Sequence, residues 1–447
     1  MALPQDILEE ILSHLCSDFP SLKACSLAHP SFLLPSNRLL FAKVRVQDYR
    51  GPPTDICLEL RKVLVASKYM AESIRSLVLD FIWYPEESGT GIFPSLLQLL
   101  PNLQRLCIHL ARGNVSIFNA DSFPSPHSIS SVRTLILDKI VFDTASQLYS
   151  LLASFNNLEV ITLDEIGIED ANATADLVPS RQSCFPSTLE LSLEGPVLEA
   201  LLFPQSTVSI ANLRVLSILT VSDQEVIATS SILSSASSSL EGLTLLLPVT
   251  KWCESRRLYL LLSHPLLMVY LFLDLIDLGH LSRLRSIRTS LYFNSHWTSI
   301  NRIPSDWRGP FPWAHPFFKG LPSSVEDIVL QVIFCPYDAF LLPHFRSDWQ
   351  ELDRILASHP WKFSVRLEIY VDYNFGDPGV EAYCYDEWST PGDLYKHFRN
   401  FLQYEGLPET NRKGCLHFEF KKSALDSFNN NLGLMNLPLG RMTFSVR

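Results

Sequence analysis

The sequence predicts an α/β protein in which a short helical module at the amino terminus precedes an irregular solenoid with a parallel β-sheet. Two patterns indicate this fold. Apolar residues near the start recur at helical spacing, and an apolar pattern at positions i, i+3 and i+5 returns at steps of 25 to 30 residues in the middle of the chain. The 447 residues are 47% hydrophobic and 19% charged, a composition far from that of a disordered chain.

The first predicted helix has one apolar face and ends at about residue 15. Pro4 suits its first turn, where a missing N–H costs nothing, and Asp6 and Glu9 lie near the positive end of the helix dipole. Apolar residues at steps of one, three and four define the face. They are Leu3, Ile7, Leu8, Ile11, Leu12 and Leu15.

Two more helices fit before a strand at residues 44–46. Asp18 and Pro20 open a second helix, Pro30 is expected to interrupt it, and a third helix is expected near residues 39–41. A module of about forty residues rarely closes its own core without a disulfide or a metal. We therefore expect either the rest of the chain or another protein to cover its apolar residues.

Three segments of the module carry a resemblance to a known family. Residues 3–15 read Leu-Pro-Gln-Asp-Ile-Leu-Glu-Glu-Ile-Leu-Ser-His-Leu, residues 22–28 read Leu-Lys-Ala-Cys-Ser-Leu-Ala, and residues 39–46 read Leu-Leu-Phe-Ala-Lys-Val-Arg-Val. Together they resemble an F-box, and the last segment is similar to the tail found in the large F-box families of mushroom-forming fungi. The resemblance covers roughly a tenth of the chain.

The resemblance implies that the module docks on the Skp-type adaptor of a cullin–RING ubiquitin ligase. The residues it assigns to adaptor contact are Leu3, Pro4, Ile7, Leu8, Ile11, Leu15, Leu39 and Phe41. One departure is that the family often has Cys-Arg-x-Trp where this chain reads Ala28-His29-Pro30-Ser31-Phe32. If Phe32 does not take the place of the tryptophan, a lower adaptor affinity is expected.

A helix and then a repeated unit follow the module. The helix is predicted to run from Asp55 toward Tyr69, with Ile56, Leu60, Val63 and Leu64 on one face. Strand, helix and strand at the period of the repeated unit imply a parallel sheet. The apolar triplets of the unit are Ile74/Leu77/Leu79, Leu103/Leu106/Ile108, Val132/Leu135/Leu137, Leu158/Ile161/Leu163, Thr188/Leu191/Leu193, Leu213/Leu216/Ile218 and Leu240/Leu243/Leu245.

This pattern resembles degenerate leucine-rich repeats over about residues 72–250. The family places an asparagine or cysteine after the strand, but this chain does not, so an asparagine ladder is not expected and other groups must satisfy the turn carbonyls. The residues found there are Ile82, Ala111, Ile140, Ile166, Pro196, Val221 and Pro248.

Beyond residue 250 the rhythm loosens and two aromatic-rich insertions appear. Later units are read at Leu284/Ile287, Val325/Ile328/Leu330, Ser364/Leu367/Ile369 and Cys415/Phe418/Phe420. Trp and Tyr in large loops on a rigid array are favoured for binding, which makes the insertions candidates for target recognition. The alternative is that their rings fill the core of a terminal repeat. The candidate target-binding residues are Trp307, Trp313, Tyr385 and Trp388.

Motifs for chemistry are missing from the sequence. Its nine cysteines contain no CxxC pair, and it has no phosphate-binding loop, HExxH pair or GxSxG turn, so we expect no catalytic residue, metal or cofactor. A net charge of −11 disfavours nucleic acid, and the longest uncharged apolar stretch, residues 266–273, is too short to span a membrane. A cytoplasmic or nuclear location is expected.

These observations predict a substrate-recognition subunit of an SCF-type cullin–RING ligase and not an enzyme. Its expected partners are the adaptor, through it a cullin, and an unidentified target protein. The expected domains are the F-box-like module (1–47), the linker helix (48–71), the leucine-rich-repeat-like solenoid (72–250) and longer degenerate repeats (251–447). The alternative is a non-ligase scaffold whose amino-terminal helices cap its own repeats. The two differ in whether residues beyond 50 cover Leu3, Ile7, Leu8 and Ile11.

Overall fold

Helices alternate with parallel β-strands in the computed structural model of this chain. It describes residues 4–48, 53–81, 92–110, 131–170, 184–192, 197–202, 206–219, 223–246, 278–293, 314–334, 346–360, 363–371 and 391–421. They fall into two compact units, one within Met1–Asn212 and one within Leu213–Leu434. The α/β class predicted from the sequence is confirmed, and each unit has a parallel sheet.

The first unit begins with three helices, α1 (Gln5–Ser13), α2 (Phe19–Ala28) and α3 (Pro30–Leu40). Asp18 caps α2 by accepting a hydrogen bond from the Ser21 N–H at 3.1 Å, and the hydrogen bonds from Ser21 lower the pKa of this carboxyl. As expected, α2 ends just before Pro30. The third helix, however, was expected near residues 39–41 and already begins at Pro30, because a proline without an N–H is tolerated in a first turn.

A small core forms inside this amino-terminal module, which we define as α1 to α3. Leu12, Leu22 and Leu40 are buried, and fully burying a leucine contributes roughly 1.5–3 kcal/mol. The module therefore forms a core of its own, contrary to the expectation from its length. The partly buried residues packed against this core are Leu15, Phe19, Cys25, Phe32 and Leu39.

The sheet of the first unit has the strand order β1-β2-β3-β4-β6-β8, and every neighbouring pair is parallel. β5 and β7 form a separate parallel pair. The remaining elements of this unit are β1 (Lys43–Asp48), α4 (Pro53–Ala66), α5 (Lys68–Ser73), β2 (Ser76–Phe81), α6 (Ile92–Gln98), β3 (Arg105–Leu110), β4 (Thr134–Asp138), β5 (Val141–Thr144), α7 (Ala145–Ala153), β6 (Val160–Asp164), β7 (Gly167–Asp170), β8 (Thr188–Ser192) and α8 (Val197–Leu202).

The second unit has its own parallel strands in the order β9-β10-β11-β12-β13-β14. Its elements are β9 (Val215–Leu219), α9 (Asp223–Ser235), β10 (Gly242–Leu246), β11 (Ser286–Phe293), α10 (Ala314–Lys319), β12 (Asp327–Phe334), α11 (Arg346–Ser358), β13 (Ser364–Val371), α12 (Pro391–Phe401), a π-helix (Leu402–Gly406), α13 (Pro408–Arg412) and β14 (Leu416–Lys421).

The segment after β1 differs from the expected single helix. Ile56, Leu60 and Leu64 lie on the buried face of α4, but Val63 is exposed, so placing it on that face was wrong. Ser67 separates α4 from α5 and caps the second helix by accepting from the Met70 N–H at 3.3 Å.

Strand register confirms most of the apolar triplets and corrects three. Six of the seven from Ile74 to Leu245 are buried throughout. In the exception, Ile161 pairs with Leu189, so the register places the triplet at Pro186/Leu189/Leu191 and not at Thr188/Leu191/Leu193. In the same way Ile328 pairs with Val365, and Val365 pairs with Leu416, two residues before the positions expected for β13 and β14. With alternating side chains a shift of two keeps the face, which is why the pattern alone did not reveal the error.

A ladder of backbone carbonyls at the strand starts replaces the missing asparagine ladder. The Arg75 carbonyl accepts from the N–H groups of Gln104 at 2.8 Å and Arg105 at 3.0 Å, two consecutive residues that lead into β3. The carbonyls of Gln104, Arg133 and Glu159 repeat this with the next strand, as do those of Arg214, Glu241 and Arg285 in the second unit. The backbone itself thus satisfies polar groups between successive strands.

Candidate protein-binding surfaces

The amino-terminal module leaves several large apolar side chains open to solvent although it has its own core. Ile7 and Ile11 are 44% and 47% exposed, and because they are four residues apart they lie on the same face of α1. On α3, Leu33 and Leu34 are 47% and 46% exposed, and Leu27 at the end of α2 is 86% exposed. Exposed apolar groups concentrated in one small module are typical of a protein-binding surface.

The residues assigned to adaptor contact by resemblance lie in different environments. Pro4, Ile7 and Ile11 are exposed, whereas Leu8 is buried at 3% exposure. The half-buried ones are Leu15, Leu39 and Phe41, the first two against the module's core. Leu3 lies outside the described residues.

Sequence reasoning missed the exposed residues Leu27, Leu33 and Leu34. Leu33 and Leu34 lie outside the third helix as the sequence predicts it, near residues 39–41, although α2 does end just before Pro30. Its position in the first turn of α3 makes Leu33 and Leu34 part of a helix that follows directly, and reading Pro30 as a helix start would have found them.

The module is attached firmly to the sheet of its unit. The strand that follows α3, β1, pairs with β2 over six residues, and the Ala42 carbonyl accepts from the N–H groups of Arg75 and Ser76, both at 2.9 Å. The Tyr69 hydroxyl on α5 donates to the Leu34 carbonyl on α3, and burial raises the pKa of Tyr69. These contacts fix the exposed face of the module relative to the first strands.

A row of ionisable groups crosses four strands of the first unit. Arg45 lies 2.5 Å from Asp80, and the imidazole of His109 lies between Asp80 and Asp138. Its Nδ1 is hydrogen-bonded to Asp138 Oδ2, and its Nε2 is 3.9 Å from Asp80 Oδ1. Both carboxylates are buried, and the hydrogen bond with Asp138 is the main cause that raises the pKa of His109. We call Arg45, Asp80, His109 and Asp138 the ionic row.

The sequence contains a signal for this row that the motif search did not use. Asp80, His109 and Asp138 are 29 residues apart in each step, which equals the first two steps of the apolar repeat. Residues at the same position of successive parallel strands become neighbours, and the register pairs Asp80 with His109 and His109 with Asp138.

The second unit has a comparable buried cluster around Glu368, which is 2% exposed. Its carboxylate pairs with Arg288 and accepts hydrogen bonds from Gln331 at 3.3 Å and from the Tyr370 hydroxyl at 2.9 Å. Both oxygens of Glu368 have a partner, so the cluster stabilises β11, β12 and β13.

No protein-family model matches this chain. No curated protein matches it either. The function is therefore inferred from the residues and their geometry. Among the described residues, no helix is long and apolar enough to cross a bilayer, and no group of three or more His, Cys, Asp or Glu residues is arranged to hold a metal ion.

Three buried thiols have no sign of activation. Cys57, Cys107 and Cys184 are buried, and burial raises the pKa of each thiol to about 12. A nucleophilic cysteine needs a lowered pKa, since the thiolate is the reactive form. These three residues therefore act as small apolar side chains.

Two adjoining pockets form a groove along the starts of the strands in the first unit. The larger encloses about 550 Å³ and the smaller about 280 Å³, and Asn102 lines both. We call them together the amino-edge groove. The larger is lined by Pro101, Asn102, Gln104, Ser131, Arg133, Asn156, Asn157, Leu158, Glu159 and Phe185, and the smaller by Arg38, Tyr69, Glu72, Ser73, Arg75 and Asn102.

The target-binding residues expected from the aromatic insertions, Trp307, Trp313, Tyr385 and Trp388, lie outside the described residues. Their assignment stays a prediction. The amino-edge groove was not expected, because it is formed by residues from several successive strand starts that only the fold brings together.

Proposed function

We propose that this chain is a substrate-recognition subunit of an SCF-type cullin–RING ubiquitin ligase. The amino-terminal module is an F-box that docks on a Skp-type adaptor, and the strand-and-helix units that follow are degenerate leucine-rich repeats that bind a target protein. The observation that carries the proposal is the set of five exposed apolar residues on a module that already has its own core.

The five exposed residues together have enough apolar surface to support docking. Covering the exposed parts of Ile7, Ile11, Leu27, Leu33 and Leu34 would contribute roughly 4–8 kcal/mol, taking about 1.5–3 kcal/mol for a full side chain. Association costs of several kcal/mol reduce this figure, so the adaptor would have to supply further contacts.

The chain would act by position and would catalyse no step itself. Holding a target beside a ubiquitin-carrying enzyme raises the effective concentration of the reacting groups. This mechanism needs a stiff connection between the adaptor site and the target site. The pairing of β1 with β2 and the hydrogen bond from Tyr69 to Leu34 supply such a connection at the adaptor end.

The alternative is a scaffold in which the module caps its own repeats. Two residues of the α1 stripe, Leu8 and Leu12, are buried, and Leu12 is covered by the core of the module itself and not by the repeats. The exposure of Ile7 and Ile11 favours the receptor, since a cap would cover both of them.

Copurification with a Skp-type adaptor tests the proposal. The double variant Ile7→Asp with Ile11→Asp places two charges on the exposed face and should abolish copurification while leaving the thermal unfolding of the chain nearly unchanged. Leu8 is unsuitable because a buried aspartate would unfold the module. The matched control is Val65→Asp on α4, which is 63% exposed and should leave copurification intact. Undiminished copurification of the double variant would reject the F-box assignment.

A further inference from the structure

The carbonyl ladder places one side chain at the start of each strand, and their charges follow a pattern. In the first unit these residues are Arg75, Gln104, Arg133 and Glu159. Arg133 pairs with Glu159 at 2.6 Å, and in the second unit Arg214 pairs with Glu241 at 2.7 Å. Arg133 and Arg214 are thus each neutralised by a glutamate at the next strand, whereas Arg285 makes no ion pair with Glu326 in the described part of the second unit.

Arg75 has no glutamate beside it, because its neighbour at the next strand is the uncharged Gln104. Within the described ranges Arg75 makes no ion pair. Its side chain is exposed and lines the smaller pocket of the groove. The other charged groups lining this pocket are already paired, Arg38 with Glu9 at 3.1 Å and Glu72 with Lys68 at 3.6 Å. This end of the groove therefore has one uncompensated positive charge.

The far end of the groove is apolar and the middle is neutral. Phe185 is 52% exposed and lines the larger pocket just before β8. Between the two ends lie the amide side chains of Asn102, Gln104 and Asn157. The Asn102 Nδ2 donates to the Glu72 carbonyl at 2.8 Å, and the exposed Gln104 can both donate to and accept from a peptide backbone. Arg133 and Glu159 neutralise each other there.

The length of the groove matches a short extended peptide. Arg75 precedes β2 and Phe185 precedes β8, and the strand order places four strand spacings between them. At about 4.8 Å per spacing the span is roughly 19 Å, which an extended chain covers with about six residues at about 3.3 Å each.

We propose that the amino-edge groove binds an extended segment of about six residues, with an acidic side chain at Arg75 and an apolar side chain at Phe185. That this segment belongs to the ligase target rests on the proposed function. The carboxylate would accept charge-assisted hydrogen bonds from the guanidinium group, and the apolar side chain would cover the exposed ring. Because the middle of the groove presents amides, the four residues between contribute mainly their backbone.

Four labelled hexapeptides titrated against the full chain test the groove. Each has alternating alanine and serine in the middle, blocked ends, and Phe at one end. Two carry Asp at the other end, in the two possible orders, and two carry Lys in its place. Fluorescence anisotropy should show saturable binding of one Asp peptide, at least tenfold weaker binding of its Lys counterpart, and a dependence on salt.

Single variants locate the site. Arg75→Gln and Phe185→Ala should each weaken binding of the Asp peptide by roughly three- to tenfold, as expected for one charge-assisted hydrogen bond or one half-exposed ring. Arg61→Gln is the matched control, an exposed arginine on α4 that does not line the groove, and should bind as the unmodified chain does. Circular dichroism should show the same fold for all three.

Three results would overturn the proposal. They are no saturable binding of either Asp peptide at millimolar concentration, equal binding of Asp and Lys peptides, and unchanged binding after either groove substitution. The experiment does not use the adaptor. Peptide binding without adaptor copurification would therefore remove the ligase function and keep the groove, and the reverse result would do the opposite.

Discussion

Replacing His109 by alanine should destabilise the first unit, because the buried carboxylate of Asp138 would lose its hydrogen-bond partner. Asp138 Oδ2 is bonded to His109, and its Oδ1 is buried without a hydrogen-bond partner. Asp80 would keep Arg45 at 2.5 Å and Gln47 at 2.9 Å. The loss therefore falls mainly on Asp138.

The size of the effect follows from the burial of the three groups. Two unit charges at the 3.9 Å between His109 and Asp80 attract by about 4 kcal/mol at an effective dielectric constant near 20, before desolvation is subtracted. Removing one member of a buried pair costs about 3–5 kcal/mol. Since the His109 side chain is 26% exposed, we expect His109→Ala to lower the free energy of unfolding by about 2–4 kcal/mol at pH 6.

The sign of the pH dependence is fixed by the raised pKa of His109, caused first by its hydrogen bond with Asp138 and then by the charges of Asp138 and Asp80. The folded state binds the imidazole proton more tightly than the unfolded state. Its contribution is therefore complete below the ordinary histidine pKa of about 6.5 and disappears as the pH rises through the folded value. The stability difference between the unmodified chain and His109→Ala should shrink from pH 6 toward pH 9.

Urea unfolding of the first unit, followed by circular dichroism at pH 6 and pH 9, measures this difference. Adding Asp138→Asn to His109→Ala should recover part of the lost stability, because the orphaned carboxylate is removed. His14→Ala is the control, since this histidine is about three-quarters exposed and pairs only with Glu10 at the surface. If His109→Ala lowers the free energy of unfolding by less than about 0.5 kcal/mol at pH 6, or if the double variant recovers no stability, His109 does not stabilise the two buried carboxylates as described.

Three further outcomes are expected. Leu12→Ala should cost about 2–5 kcal/mol and raise hydrogen exchange in α1 to α3 more than elsewhere, since Leu12 is completely buried in a core with only two other buried leucines; uniform exchange would show that the module does not unfold separately. Asp353→Ala should lower the free energy of unfolding in urea by about 2–3 kcal/mol, because the buried Asp353 carboxylate accepts from the N–H groups of Glu409 and Thr410, both at 2.8 Å. A decrease of less than about 0.5 kcal/mol would contradict this capping of α13. At pH 8 a thiol reagent should label the exposed Cys16 and spare the three buried thiols whose pKa is raised, Cys57, Cys107 and Cys184, as read by peptide mass spectrometry. Labelling of any of these three in the folded chain would contradict their burial.

Local signals predicted the elements that local signals control. Asp18 and Pro20 marked the start of α2, and alternation around Val44 and Val46 marked β1, because capping and side-chain alternation act over a few residues. The apolar triplets predicted the parallel strands, since each strand must bury the same face.

Three features that the local sequence does not determine were misplaced or missed: the start of α3, the register of β8 and the amino-edge groove. Pro30 follows the end of α2, as expected, and also begins α3, which was not predicted because the cap formed by His29, whose Nδ1 accepts from the Ser31 N–H at 3.2 Å, is a property of the folded chain. The triplet at Thr188 was placed two residues late because the apolar face is unchanged by that shift. The amino-edge groove was beyond sequence reasoning, since it joins residues from 38 to 185.

The carbonyl ladder makes few demands on side chains. Each rung uses a peptide oxygen and two consecutive peptide N–H groups, which every amino acid except proline provides at the donor positions. Substitution at those places can alter charge and shape at the rim of the sheet without removing the bonds that hold neighbouring strands in step. Because the strands are held together by backbone hydrogen bonds, the residues at these positions can vary widely without loss of the sheet. Such variation is free to change the charge and shape of the surface that these residues present.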